Sequence, residues 1–106
     1  MITKFKLFEY VGISWVSPEI KKILNEYGMD VNFQDINNSE LTYDRRFIGE
    51  YGVRTIVIGP TDLEFLFIAL DRAIIWFEIS KEKITELKDR ICEYTLEFFN
   101  ISRMEP

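Results

Sequence analysis

The strongest constraint on the fold is the stretch FLFIALDRAIIWFEIS at residues 65–80, in which Asp71 and Arg72 separate two strongly apolar runs. A membrane-spanning helix needs about 20 mostly apolar residues, so the charged pair argues against a span. Two alternatives remain for this stretch. It is either a buried helix or a hairpin of two buried strands that turns at Asp71 and Arg72.

The helix alternative has support at its start, where Thr61 and Glu64 have the spacing of a capping box and Asp62 is a common helix-start residue. However, a helix that ends near Arg72 leaves almost no residues for a connection, which usually takes about 2 to 6. Residues 73–79 are rich in β-branched and aromatic side chains, which favour a strand. The pattern therefore favours the hairpin, although the turn lacks a glycine.

Hydrophobic periodicity and capping residues predict the other elements. A first helix begins at Pro18 after the N-cap residue Ser17 and ends before Gly28, and a second follows Ser80 and extends to residue 99. Residues 53–58, dense in β-branched side chains, are expected in the middle of the sheet. The other predicted strands are residues 5–11, 31–33 and 41–47 and the two arms of the hairpin.

This order predicts a single α+β domain over residues 1–106. We expect an antiparallel sheet of about five strands with two helices on one face, in the order β-α-β-β-β-β-β-α. Both faces of the hairpin are apolar, and the two helices can cover only one of them. Either the N-terminal segment with Trp15 covers the second face, or the helices divide between the faces, or a second copy covers it. We favour the homodimer, whose predicted interface residues are Leu66, Ile68, Leu70, Ile75 and Phe77.

Catalytic chemistry is not indicated by the residue types. The chain has no histidine, which removes the commonest general base and metal ligand. Its single cysteine, Cys92, falls in a helical pattern and can form neither an intramolecular disulfide nor a zinc site alone. The N-terminal residues show no secretion signal, and no phosphate-binding loop occurs. We therefore expect a cytoplasmic protein that is not an enzyme, with no catalytic residue, metal or cofactor.

The net charge of −5 is spread along the chain, whereas proteins that bind nucleic acid usually carry a basic surface. We expect no direct contact with nucleic acid or membranes. The favoured function is an interaction module whose carboxylates meet a basic patch on a partner protein. The alternative is a small metal-dependent or ligand-binding enzyme built on Asp30, Asp35, Glu40 and Asp44. The candidate partner-binding residues are Asp30, Asp35, Glu40, Tyr43, Asp44 and Glu50.

The chain contains fifteen Ile, two Ala, one Gln and no His. In this composition it resembles small proteins of viruses that infect hyperthermophilic archaea. An antiparallel sheet is predicted from residues 5–11, 31–33, 53–58 and 65–80. Together with two helices and an acidic surface, this architecture is similar to that of the type I-D anti-CRISPR proteins of archaeal rudiviruses. The resemblance implies a dimer in the host cytoplasm that binds the large subunit of a CRISPR effector complex and blocks it by occupancy. It assigns no role to any individual residue.

Overall fold

The computed structural model of the protein describes residues 17–35, 37–60 and 62–103. In these ranges it is an α+β structure with three α-helices and a three-stranded antiparallel sheet. The α+β class is therefore confirmed, whereas the prediction of about five strands and two helices is wrong. The elements in chain order are α1 (Pro18–Asn25), β1 (Met29–Asp35), β2 (Asn38–Asp44), a 3-10 helix (Arg45–Ile48), β3 (Val53–Gly59), α2 (Leu63–Trp76) and α3 (Lys81–Arg103).

The sheet has the order β1-β2-β3, with β2 in the centre. Val31, Leu41 and Ile56 are register partners across the three strands, and all three side chains are buried. Their neighbours on the opposite face, which include Thr42 and Thr55, are partly or fully exposed. Since α1 contacts β1 and α2 contacts β3, the helices cover one face of the sheet and the core lies between the two layers.

The main correction concerns residues 65–80, where α2 replaces the predicted hairpin. Its N-cap is Asp62, whose Oδ1 accepts a hydrogen bond of 2.8 Å from the backbone N–H of Glu64. The helix does not stop at Asp71 and Arg72, which are both exposed, but continues to Trp76. The buried side chains recur every three or four residues, as one face of a helix requires. They are Leu63, Leu66, Ala69, Leu70 and Ala73.

This helix also separates the residues that were predicted to form a dimer interface. Leu66, Leu70 and Phe77 are buried in the core of the chain itself, whereas Ile68 and Ile75 are exposed. Residues that share one face of a strand do not share one face of a helix, because the periods are 2 and 3.6 residues. The five residues therefore do not form one surface.

Several local predictions are confirmed. Helix α1 begins at Pro18, and Ser17 Oγ accepts a hydrogen bond from the backbone N–H of Ile20. Ser80 Oγ likewise accepts from the backbone N–H of Lys83 at the start of α3. The predicted strands at residues 31–33 and 41–47 correspond to β1 and β2, although residues 45–48 form the 3-10 helix. The predicted strand at residues 5–11 and the segment with Trp15 lie outside the described residues.

Candidate binding groove

In the part of the chain that the structure describes, one edge of strand β3 is unpaired. Within the described ranges β3 pairs with β2 alone and lies at one end of the strand order, whereas residues 53–58 were predicted in the middle of the sheet. Edge strands in natural proteins are usually protected by lysine, proline or a bulge. The sequence of β3, VRTIVIG, has no lysine or proline, although its pairing with β2 is irregular near its end, where Ser39 pairs with Gly59 and Glu40 with Val57. Among the described residues, the outer edge of β3 from Val53 to Val57 therefore leaves backbone groups unpaired.

Helix α2 presents an exposed stripe beside this edge. Phe65, Ile68, Arg72 and Trp76 are spaced by three or four residues, and all are exposed. Trp76 is 64% exposed, which is unusual for the most apolar and largest of side chains. Because Gly59 is followed after a short turn by Leu63, α2 runs back along β3 and places the stripe next to the open edge.

A groove lies between the strand and the helix. Its central part, of about 370 Å³, is lined by Thr55, Ile56, Val57, Arg72 and Trp76. One end continues into a recess of about 330 Å³ between Arg54 and Phe77, and the other into one of about 150 Å³ that reaches Phe65 and Ile68. We refer to these three adjoining recesses as the β3–α2 groove.

The end of α2 is held against the sheet by specific contacts. Arg54 Nη1 donates a hydrogen bond of 2.6 Å to the backbone carbonyl of Trp76, which satisfies one of the carbonyls left free at a helix C-terminus. Glu78 Oε2 lies 3.7 Å from Arg54 Nη2 and 3.9 Å from Arg45 Nη2. The ring of Phe77 stacks on Tyr43, with 5.3 Å between ring centroids. These contacts fix the position of Trp76 relative to β3.

The residues that line the groove include two arginines although the chain is acidic, and one of them, Arg54, forms an ion pair with Glu78. The lining includes Arg54 and Arg72 and, among the described residues, no carboxylate. The side chain of Arg72 forms no ion pair or hydrogen bond with any described residue. Its neighbour Asp71 faces α3, where Lys88 Nζ lies 2.7 Å from Asp71 Oδ1. Arg72 lines the central recess together with Val57 and Trp76.

The carboxylates that were predicted to bind a partner do not line the β3–α2 groove. Asp30, Glu40 and Asp44 are on the outer face of the sheet, which the helices do not cover. Asp30 Oδ1 lies 3.5 Å from Lys21 Nζ. Three hydrogen bonds from Nε and Nη2 of the Arg46 side chain, reinforced by one from its backbone N–H, lower the pKa of Asp44. Glu40 has no ion pair or hydrogen-bonding partner for its side chain among the described residues.

The remaining three predicted residues have structural environments of their own. Asp35 Oδ1 accepts a hydrogen bond of 2.7 Å from the backbone N–H of Asn37 and so stabilises the β1–β2 turn. Glu50 forms an ion pair with Arg45. Tyr43 is buried against Phe77, and burial raises the pKa of its hydroxyl. The six predicted residues therefore do not converge on one site.

No metal-binding cluster is found in the part of the chain that the structure describes. No group of three or more Cys, Asp or Glu side chains there could hold a metal ion. A further recess, of about 680 Å³, is lined among the described residues by side chains of α3 alone. Arg90, on its rim, is bound to Glu26 of the α1–β1 turn.

Comparisons with protein families, curated proteins and solved structures gave no match to this chain. In the described residues, no helix combines the length and the apolar character that crossing a membrane requires.

The groove was not predicted from the sequence. Val57 is distant in the sequence from Arg72 and Trp76, and it becomes their neighbour because α2 folds back along β3. The one signal that could have identified the groove is the helical spacing of the buried residues, which continues without interruption through Asp71 and Arg72.

Proposed function

We propose that this chain is a protein-interaction module that acts by occupying a surface of a partner protein, and that the β3–α2 groove is its contact surface. One observation carries the proposal: within the described residues, the unpaired edge of β3 lies beside an exposed aromatic and aliphatic stripe. The edge offers backbone hydrogen bonds, and the recesses offer pockets for apolar side chains. Exposed apolar surface of this kind is typical of interaction sites.

The proposed function needs no chemistry from the chain. The alternative of an enzyme built on Asp30, Asp35, Glu40 and Asp44 lacks a comparable observation. The Asp35 and Asp44 carboxylates accept hydrogen bonds from their own turns, and these bonds account for their positions. We therefore develop the interaction module alone.

The partner remains a proposal that comes from the resemblance to archaeal viral inhibitors. It implies the large subunit of a CRISPR effector complex, blocked by occupancy in the host cytoplasm. The groove supports binding to a protein in general and does not select this target. We therefore include that subunit as one purified target beside an unbiased capture.

A homodimer also remains a prediction, but its surface must differ from the one first proposed. The exposed apolar side chains that could serve self-association include Val53, Val57, Ile75 and Trp76. Light scattering at micromolar concentration tests this prediction, since a monomer would contradict it.

The interaction function is tested by affinity capture with immobilised full-length protein. Val57→Lys places a charge in the groove, and Gln34→Lys is the matched control, since Gln34 is exposed on β1 at the other side of the sheet. Baits are exposed to lysates of a thermophilic archaeon and a mesophilic bacterium and to the purified effector subunit. We expect a stoichiometric protein to be retained by the wild type and by Gln34→Lys and lost with Val57→Lys.

Circular dichroism and a thermal melt first establish that each variant is folded. Retention of the same protein by a folded Val57→Lys variant would place the contact surface elsewhere. If no bait retains any protein, the interaction function is contradicted.

A further inference from the structure

We infer that the β3–α2 groove binds an extended segment of its partner as an added β-strand, and that this segment carries alternating apolar side chains and one carboxylate that pairs with Arg72. The inference rests on the proposed function and specifies the chemistry of the partner. It predicts a sequence pattern that can be selected and measured.

The shape of the groove fits an extended chain. Strand β3 has seven residues, and an antiparallel or parallel strand added at its free edge would form backbone hydrogen bonds along roughly 20 Å. Side chains of an added strand alternate between the two faces of the sheet, so every second one points to the side where α2 lies. There the three recesses form a row along the helix, between Trp76 at one end and Phe65 at the other. A row of pockets suits apolar side chains at alternate positions.

The charge of the groove specifies the polar contact. Arg72 lines both the central recess and the one near Phe65. A guanidinium group binds a carboxylate with two parallel hydrogen bonds, and this pairing is stronger than one between neutral groups. A segment with one Asp or Glu among apolar residues therefore complements the groove.

A second copy of this chain fits the groove less well than a segment of a different protein does. If β3 paired with β3 of a symmetric partner, the Arg72 groups of both copies would enter the same interface. The described lining offers no carboxylate to neutralise them. A heterologous segment that brings its own carboxylate avoids this repulsion.

The inference is tested with a phage-displayed library of random octapeptides, selected on immobilised full-length wild-type protein and on Arg72→Gln and Val57→Lys variants. We expect the wild type to select peptides with apolar residues at alternate positions and an Asp or Glu at one fixed position. Arg72→Gln should keep the alternation and lose the acidic preference, because it keeps the shape of the groove and removes its charge. Val57→Lys should select no such pattern.

A titration then measures the pair directly. The peptide most enriched on the wild type is synthesised together with its amide counterpart, in which Gln replaces Glu or Asn replaces Asp. We expect the amide peptide to bind wild-type protein about tenfold more weakly, as loss of a charge-assisted hydrogen bond implies. On Arg72→Gln the two peptides should differ by less than about twofold. Amide hydrogen exchange should show that N–H groups at the outer edge of β3 become protected when the peptide binds.

Other outcomes overturn the inference. Selected peptides without an acidic preference, or an acidic preference that survives Arg72→Gln, would remove Arg72 from recognition. Edge amides of β3 that are already protected without peptide would show that the edge is occupied, by a second copy if the protein is a dimer or by its own chain if it is a monomer. If capture succeeds and the library yields no peptide, the interaction function stands and the added strand fails. If the library succeeds and capture fails, peptides fit the groove and the proposed function fails.

Discussion

Gly28 allows the α1–β1 turn to pack closely against the 3-10 helix. Its φ of +76° lies in the left-handed region that favours glycine. A Cβ atom at this position would lie 2.8 Å from Cγ of Phe47, and the Gly28 carbonyl accepts a hydrogen bond of 3.0 Å from the backbone N–H of Asp44. The α1–β1 turn therefore packs directly against the 3-10 helix because residue 28 has no side chain.

We expect Gly28→Ala to lower the free energy of unfolding by about 2 to 4 kcal/mol, from left-handed strain and from the clash with Phe47. Gly49→Ala is the matched control, because Gly49 has a φ of +81° but no atom within 4 Å of the added Cβ. It should cost about 1 kcal/mol, from strain alone. Urea denaturation measures both losses, and equal losses would show that the Phe47 contact contributes nothing.

The helices and strands differ in how well the sequence predicts them. Helices α1 and α3 were found because Ser17 and Ser80 cap them and the apolar residues that follow have helical spacing. Strands β1 and β2 were found because their apolar and polar residues alternate. In these four elements the local signals agree with the packing.

Helix α2 was missed because its residue types and its spacing disagree. Residues 73–79 have the composition of a strand, but Leu66, Leu70 and Ala73 have the spacing of a helix, and packing against the sheet and α3 decides for the helix. The position of β3 at the edge of the described sheet depends on long-range strand pairing, and the groove depends on that position. No local sequence pattern indicates such pairing. Arg72 and Val57 could thus be identified as neighbours only from the fold.

A substitution at Asp71 separates the helix from the rejected hairpin. Proline is common at a turn position but removes a hydrogen bond and clashes with the preceding turn inside a helix. We therefore expect Asp71→Pro to lower the free energy of unfolding by about 3 kcal/mol or more. Asp71→Ala, the control, loses the exposed ion pair with Lys88 and should cost less than about 1 kcal/mol. If urea denaturation shows similar stabilities for the two variants, residue 71 does not lie inside a helix.

The helical layer as a whole is joined by an ion pair between distant parts of the chain. Arg90 of α3 donates two hydrogen bonds, of 3.0 and 2.8 Å, to the two carboxylate oxygens of Glu26 at the end of α1. The hydrogen bond from Arg90 is the main reason why the pKa of Glu26 is lowered. The folded state therefore favours the ionised form of this carboxyl group, and folding depends on pH through it.

The sign of this dependence follows from the lowered pKa. The stabilisation is fully present above the ordinary glutamate pKa of about 4.3 and is lost as the pH falls through the lower value of the folded protein. We expect Glu26→Gln to lose less stability than the wild type between pH 5 and pH 2, measured by urea denaturation. Glu19→Gln, on the same helix but without an ion pair among the described residues, should behave like the wild type. A Glu26→Gln variant with the wild-type pH dependence would show that the pair does not contribute.

The open edge of β3 also affects how the protein behaves at high concentration. A β-rich edge with few charges promotes edge-to-edge aggregation, and repulsion between copies that carry a net charge of −5 opposes it at neutral pH. This repulsion vanishes near the isoelectric point of about 4.8. Mild acidification should therefore precipitate the folded protein before it unfolds, and a ligand that fills the groove should keep it in solution. For this molecule, colloidal stability and occupancy of the groove are linked.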